Sequence, residues 1–171
     1  MGIHDFFRQL GWMVVLIALQ VLFFNHICLL GYATPIAYVY ILCLLPINLS
    51  RNSWLLWGFV TGFCADFFSE TPGLGAASMT VAAMCAPGLV SLFAPKDILE
   101  EKRGVLPLSE TSGRRYAITL VLLHHAVYIV LEMFSFGRPL HMLYAWGSSC
   151  LLTILIIFAL ARLGKSQTLA K

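Results

Sequence analysis

Few side chains in this chain are equipped for chemistry, and those few sit in apolar surroundings. Residues 58–77, GFVTGFCADFFSETPGLGAA, hold one carboxylate, Asp66, inside a run of apolar and small residues, with the polar turn Ser69-Glu70-Thr71-Pro72-Gly73 directly after it. An acid at membrane depth is costly unless something pairs with it, so Asp66 marks a candidate functional position. Further along, His125, Tyr128 and Glu132 recur at i, i+3 and i+7, which places them on one helical face with His124 alongside. Asn25, Arg138 and His141 complete the set. The two histidines have no third ligand within a turn or two, so they read as core histidines and no metal site is expected. Ser135 with His141 and Glu132 has no spacing that separates catalysis from packing, and the chain reads as a non-enzyme without a cofactor. Five cysteines (Cys28, Cys43, Cys64, Cys85 and Cys150) are widely spaced in apolar runs with no C-x-x-C pair, the pattern of small buried hydrophobes.

The elements that must position these groups are membrane spans. Of 171 residues, 60% are hydrophobic and 11% charged, against about 25% charged in a water-soluble domain. A span needs roughly 20 apolar residues. The chain therefore has room for six helices, and an all-α, single-domain membrane protein is expected. Apolar runs place the spans at about 10–30, 32–49, 54–68, 72–93, 116–135 and 140–163, with a mixed-charge loop at 94–115. Gly31 ends the first run, and Pro46 shortens the second, whose end should be irregular. Trp54 and Trp57 sit where an interfacial aromatic belt would lie. Thr71 and Pro72 read as the N-cap and first residue of the fourth helix, and Pro87 as a kink within it. The run after Arg8 is about twenty residues long and lacks an A-x-A-like site, so it reads as a retained helix rather than a cleaved signal.

Six spans divide the basic residues sharply. Arg8, Arg51, Lys96, Lys102, Arg103, Arg114, Arg115, Arg162, Lys165 and Lys171 fall on one side, and only Arg138 on the other. By the positive-inside rule both termini and the 94–115 loop are cytoplasmic, while the turns at 69–73 and 136–139 face out. The net charge of +3 is spread along loops, which argues against a nucleic-acid face. At about 1.5 Å of rise per residue, Asp66, Asn25 and Glu132 lie roughly 20, 23 and 24 Å from the inner ends of their spans, one layer in the outer third of the bilayer core. Asn25, Asp66, His125, Tyr128, Glu132 and Arg138 are expected to point into the bundle and satisfy one another, or to be completed by a partner. That layer reads as a structural clamp, a surface for partner membrane helices, or a proton or substrate path. Gly58, Gly62, Gly73, Ala76 and Ala77 are the expected close-packing residues, with Ala76, Thr80, Ala83 and Pro87 forming a small face on the fourth helix.

The pattern Gly58-x-x-x-Gly62-x-x-x-Asp66-x-x-Ser69, followed by Thr71-Pro72-Gly73-Leu74-Gly75-Ala76-Ala77, resembles the central motif of the MreD family of bacterial rod shape-determining membrane proteins. The length, six spans and cytoplasmic termini agree, as do His124-His125 and Glu132. The turn departs from the pattern at Gly75, where many relatives carry a histidine. The resemblance implies a non-enzymatic subunit of the cell-elongation machinery in the bacterial inner membrane. Such a subunit binds the bitopic protein MreC, and together they connect the actin-like MreB filament to the elongation glycosyltransferase and transpeptidase. It also implies a fold similar to the substrate-binding subunits of energy-coupling-factor transporters. A small-molecule-binding transporter subunit, with a cavity lined by the Asp66 and Glu132 layer, is therefore the alternative.

Overall fold

A computed structural model describes residues 3–26, 34–94, 110–133 and 139–169. It is all-α, with no strand among the described residues. The main helices are α1 (Ile3–Leu22), α3 (Arg51–Ser69), α4 (Leu74–Phe93), α5 (Glu110–Met133) and α6 (Pro139–Leu169), with a single-turn helix α2 (Ile41–Leu44) between α1 and α3. Among the described residues, four helical stretches are long and apolar enough to cross a membrane: Ile3–His26, Leu74–Phe93, Thr111–Met133 and Pro139–Arg162.

The bundle buries a set of polar side chains within an apolar core and turns many large apolar side chains outward. Gln9, Gln20, Thr61, Asp66, Ser78, His124, His125, Ser149 and Thr153 are buried, whereas Phe59, Phe63, Phe67, Leu151 and Leu155 are exposed. In water the outward apolar side chains would be costly; in lipid they cost nothing, and the buried polar groups can tie helices together inside. Helix α1 shows the pattern clearly. Gln9, Met13, Leu16, Ile17 and Gln20 are buried at helical spacing, while Val14, Val15 and Leu22 look outward. This helix begins at Ile3, earlier than the apolar run alone suggests, because Asp5 lies in its first turn and pairs with Arg8 at 3.1 Å.

The expected helix over 32–49 is not continuous. Residues 37–40 form a 3-10 turn that runs into α2, and Leu45 is extended at φ −62°, ψ 140°. Pro35 and Pro46 explain the shortness: each disfavours a helical residue before it, and little more than two turns fit between them. Yet Ile36 to Cys43 and Leu45 are all buried, at the centre of the core. Irregular backbone at this depth is tolerated only when its polar groups find partners within the protein. Side chains supply them. The Ala37 amide donates to Gln20 Oε1 (2.7 Å), Gln20 Nε2 donates to Pro35 O (3.0 Å), the Ile36 amide to Thr153 Oγ1 (2.9 Å) and the Thr34 amide to Ser149 Oγ (3.0 Å). Gln9 Nε2 caps Leu44 O at 2.9 Å and the Tyr116 hydroxyl caps Leu42 O at 3.1 Å. Helices α1, α5 and α6 thus close around a broken segment that could not stand in lipid by itself.

Candidate functional site

The closest helix pair is α3 with α4, joined by the turn at 70–73. Ser50 starts α3 by accepting the Ser53 amide at 3.3 Å. At its other end Glu70 takes the left-handed conformation (φ 56°), and the Glu70 and Thr71 amides both turn back to Asp66 O. The side chain of the same residue reaches forward. Asp66 Oδ1 accepts the Gly75 amide at 2.7 Å and the Thr71 hydroxyl at 3.0 Å, and Oδ2 accepts the Ala76 amide at 2.8 Å.

Gly75 and Ala76 are the second and third residues of α4, so Asp66 acts as the N-terminal cap of a helix it does not belong to. The carboxylate meets both the unpaired amides of the first turn and the positive end of the helix dipole. Thr71 is therefore not the N-cap expected from the sequence. That position falls to Gly73 (φ 87°), which has no side chain to offer, and α4 starts at Leu74 rather than Pro72. Thr71 instead spends its hydroxyl proton on the carboxylate that replaces it.

Close approach of the two backbones makes this cap reachable. A Cβ on Gly62 would run into the carbonyl of Gly75 and stand 2.7 Å from Ala76 Cα; one on Gly58 would stand 2.5 Å from Ala83 Cβ and 2.8 Å from Met79 O. A Cβ on Gly75 would meet Asp66 Oδ1 at 2.6 Å and the Tyr38 hydroxyl at 3.0 Å. Gly75, noted in the sequence only as a departure from a histidine, is thus where the capping acid needs room. Of the other expected packing residues, Ala76 is buried, Ala77 is exposed, and Gly73 serves by its positive φ rather than by contact. Pro87 lies within α4, which continues to Phe93.

On α5 the two histidines hold different neighbours. His125 Nδ1 lies 3.0 Å from Val121 O, which can only accept, so the neutral ring carries its proton on Nδ1. Its Nε2 then accepts from the Thr153 hydroxyl at 3.1 Å, and Thr153 in turn accepts the Ile36 amide. His124 Nε2 lies 3.0 Å from Ser78 Oγ, whose own proton goes to Leu74 O at 2.8 Å, so His124 is the donor. Its Nδ1 is buried without a partner.

The polar layer divides rather than closing on itself. Asp66 is buried and consumed by α4, whereas Asn25 and Glu132, expected inside the bundle, are exposed. Asn25 accepts from Gln20 Nε2 (2.9 Å) and donates to Ser69 Oγ (2.8 Å), tying the end of α1 to the end of α3. No hydrogen bond joins Asn25, Asp66 and Glu132 to one another among the described residues. Arg138, Ser135 and Cys28 lie outside the described residues. Glu132 instead lines a cleft of about 330 Å³ with His125, Tyr128, His141, Ser149 and Thr34. Tyr128 also approaches Thr71, so the cleft adjoins the capped turn. No group of three metal-ligating side chains occurs among the described residues. Cys43, Cys64, Cys85 and Cys150 are free thiols.

Sequence reasoning missed Gln20, Ser78, Ser149 and Thr153, all of which bind buried backbone or a histidine. Their signal was available, since each is a polar residue inside an apolar run. No family model, curated protein or solved structure matches this chain.

Proposed function

We propose that this chain is a non-enzymatic, six-span subunit of the bacterial cell-elongation machinery. It would sit in the inner membrane with both termini cytoplasmic and the broken segment at 34–49 as its second span. In this reading it binds MreC and, directly or through it, couples MreB to the elongation glycosyltransferase and transpeptidase. The observation that carries the reading is the capped turn. Gly58, Gly62, Asp66, Thr71 and Gly73, which carry the resemblance in sequence, form one physical unit with Gly75, where the chain departs from the family pattern, and each has a definite task. Such a unit fixes the angle between α3 and α4 and so presents a rigid outer face to a partner. The transporter alternative is less well supported, because Asp66, one half of its expected cavity lining, is occupied with the α4 amides and does not line the cleft.

Depletion in a rod-shaped host, paired with affinity purification from native membranes, tests the proposal. Rounded cells and recovery of MreC are expected. Normal rods with no MreC recovered would sink the assignment, and a tightly held vitamin-like molecule would favour the transporter reading.

A further inference from the structure

The cleft between α5, α6 and residues 34–36 has an imbalance of charge. Glu132 is exposed at its wall, and no ion pair reaches it among the described residues. A carboxylate in that place, within a membrane bundle, calls for a cation. The described lining contains no lysine or arginine, so an anionic ligand finds no fixed positive partner there. A bare metal ion finds no cluster of ligands. The remaining lining is mixed: His125 and His141 bring imidazole rings, Tyr128, Ser149 and Thr34 offer oxygen atoms, and Ile36, Ile129, Met133 and Ala145 are apolar.

We propose that this cleft binds a ligand carrying a primary ammonium group, with the ammonium on the Glu132 carboxylate and the adjoining carbon skeleton against the apolar wall. An aminophospholipid headgroup and a free amine share that chemistry. The inference is independent of the assembly role proposed above, since it rests on the cleft alone.

The full-length protein in nanodiscs or mild detergent provides the test, by native mass spectrometry with phosphatidylethanolamine, phosphatidylcholine and phosphatidylglycerol of matched chains. Loss of a charge-assisted hydrogen bond corresponds to about tenfold or more in affinity. Phosphatidylethanolamine adducts should therefore exceed phosphatidylglycerol adducts by about that factor. Phosphatidylcholine, whose quaternary nitrogen cannot donate, should also bind more weakly. Glu132→Gln should abolish the preference and Glu132→Asp should retain part of it. A thermal shift with ethanolamine alone, in lipid-free detergent, would identify a soluble amine as the ligand; lipid adducts that persist in excess ethanolamine would identify the headgroup. The wild-type comparison needs no variant to fold. Equal binding of the three lipids with no response to ethanolamine overturns the proposal, as does an undiminished phosphatidylethanolamine preference in a monodisperse Glu132→Gln protein.

Discussion

The Asp66 carboxylate of α3 accepts the Gly75 amide of α4 at 2.7 Å, in a place where a methyl group on Gly75 would come within 2.6 Å of the same oxygen. The two residues are therefore fitted to each other. An acid from one helix takes the role usually played by a serine or aspartate at the start of the next, and the glycine lets it in. A helix hairpin built this way has its turn fixed by three charge-assisted hydrogen bonds rather than by the turn residues themselves.

That geometry ranks substitutions at Asp66. All three partners are donors, so asparagine satisfies those on one oxygen but turns its amide group toward the N–H opposite the other. Leucine satisfies none and adds bulk beside Gly75. A hydrogen bond to a charged group contributes about 1.5 to 3 kcal/mol. Asp66→Asn should therefore cost roughly one such bond and Asp66→Leu considerably more, visible as successive losses of melting temperature and of monodisperse yield in detergent. Equal stability of the two variants would remove the capping role. If both fold but fail in the proposed recovery of MreC, the turn is also read by the partner.

Glycine-to-alanine changes should differ in sign along the same helices. At Gly62 the added methyl meets backbone atoms of Gly75 and Ala76, which cannot move without separating α3 from α4; overpacking of this kind costs about 1 to 3 kcal/mol. At Gly88 and Gly147 nothing lies within 4 Å of the added methyl, and the helix gains up to about 1 kcal/mol of propensity. Thermal unfolding of Gly62→Ala, Gly88→Ala and Gly147→Ala side by side should give one loss and two neutral or positive shifts.

How much of this could be read from the chain depends on the range of the interactions. The Gly58, Gly62 and Asp66 spacing is local, so close helix packing and the cost of the acid were legible, but not that α4 is the helix packed there. The identity of the cap was not, because Thr71 and Pro72 match a helix start by themselves and only the fold brings a stronger acceptor to the first turn of α4. The broken segment was less legible still. Its partners Ser149 and Thr153 lie more than a hundred residues away, and a buried apolar run looks the same whether it is helical or irregular. Helical spacing groups Glu132 with His125 and Tyr128, and all three line one cleft, but spacing does not give depth: His125 is buried and Glu132, expected inside the bundle, is exposed.

Gln20 should be the most sensitive position outside the hairpin. Its side chain accepts from Ala37 and donates toward Pro35 and Asn25, so Gln20→Leu strands a buried amide and a buried carbonyl at once. Each orphaned buried group costs about 1 to 3 kcal/mol. Hydrogen exchange should rise locally at residues 36–45 while the α3–α4 hairpin stays protected. Uniform protection across the chain would mean that the segment holds its shape without this clamp.

Thr153 and His125 allow a sharper test, because their hydrogen bond is one link of a chain that runs from the Ile36 amide through the Thr153 hydroxyl to His125 Nε2. Thr153→Ser keeps both links and should be near neutral. Thr153→Val leaves an amide without its acceptor and a ring nitrogen without its donor, both buried. In a His125→Phe background only the amide is stranded by the same change, so Thr153→Val should cost less there. The difference, a coupling of about 0.5 to 3 kcal/mol, is measurable by a double-mutant cycle on thermal or chemical unfolding. A coupling of zero would mean that Thr153 serves the broken segment alone, and that His125 is held by Val121 without help from α6.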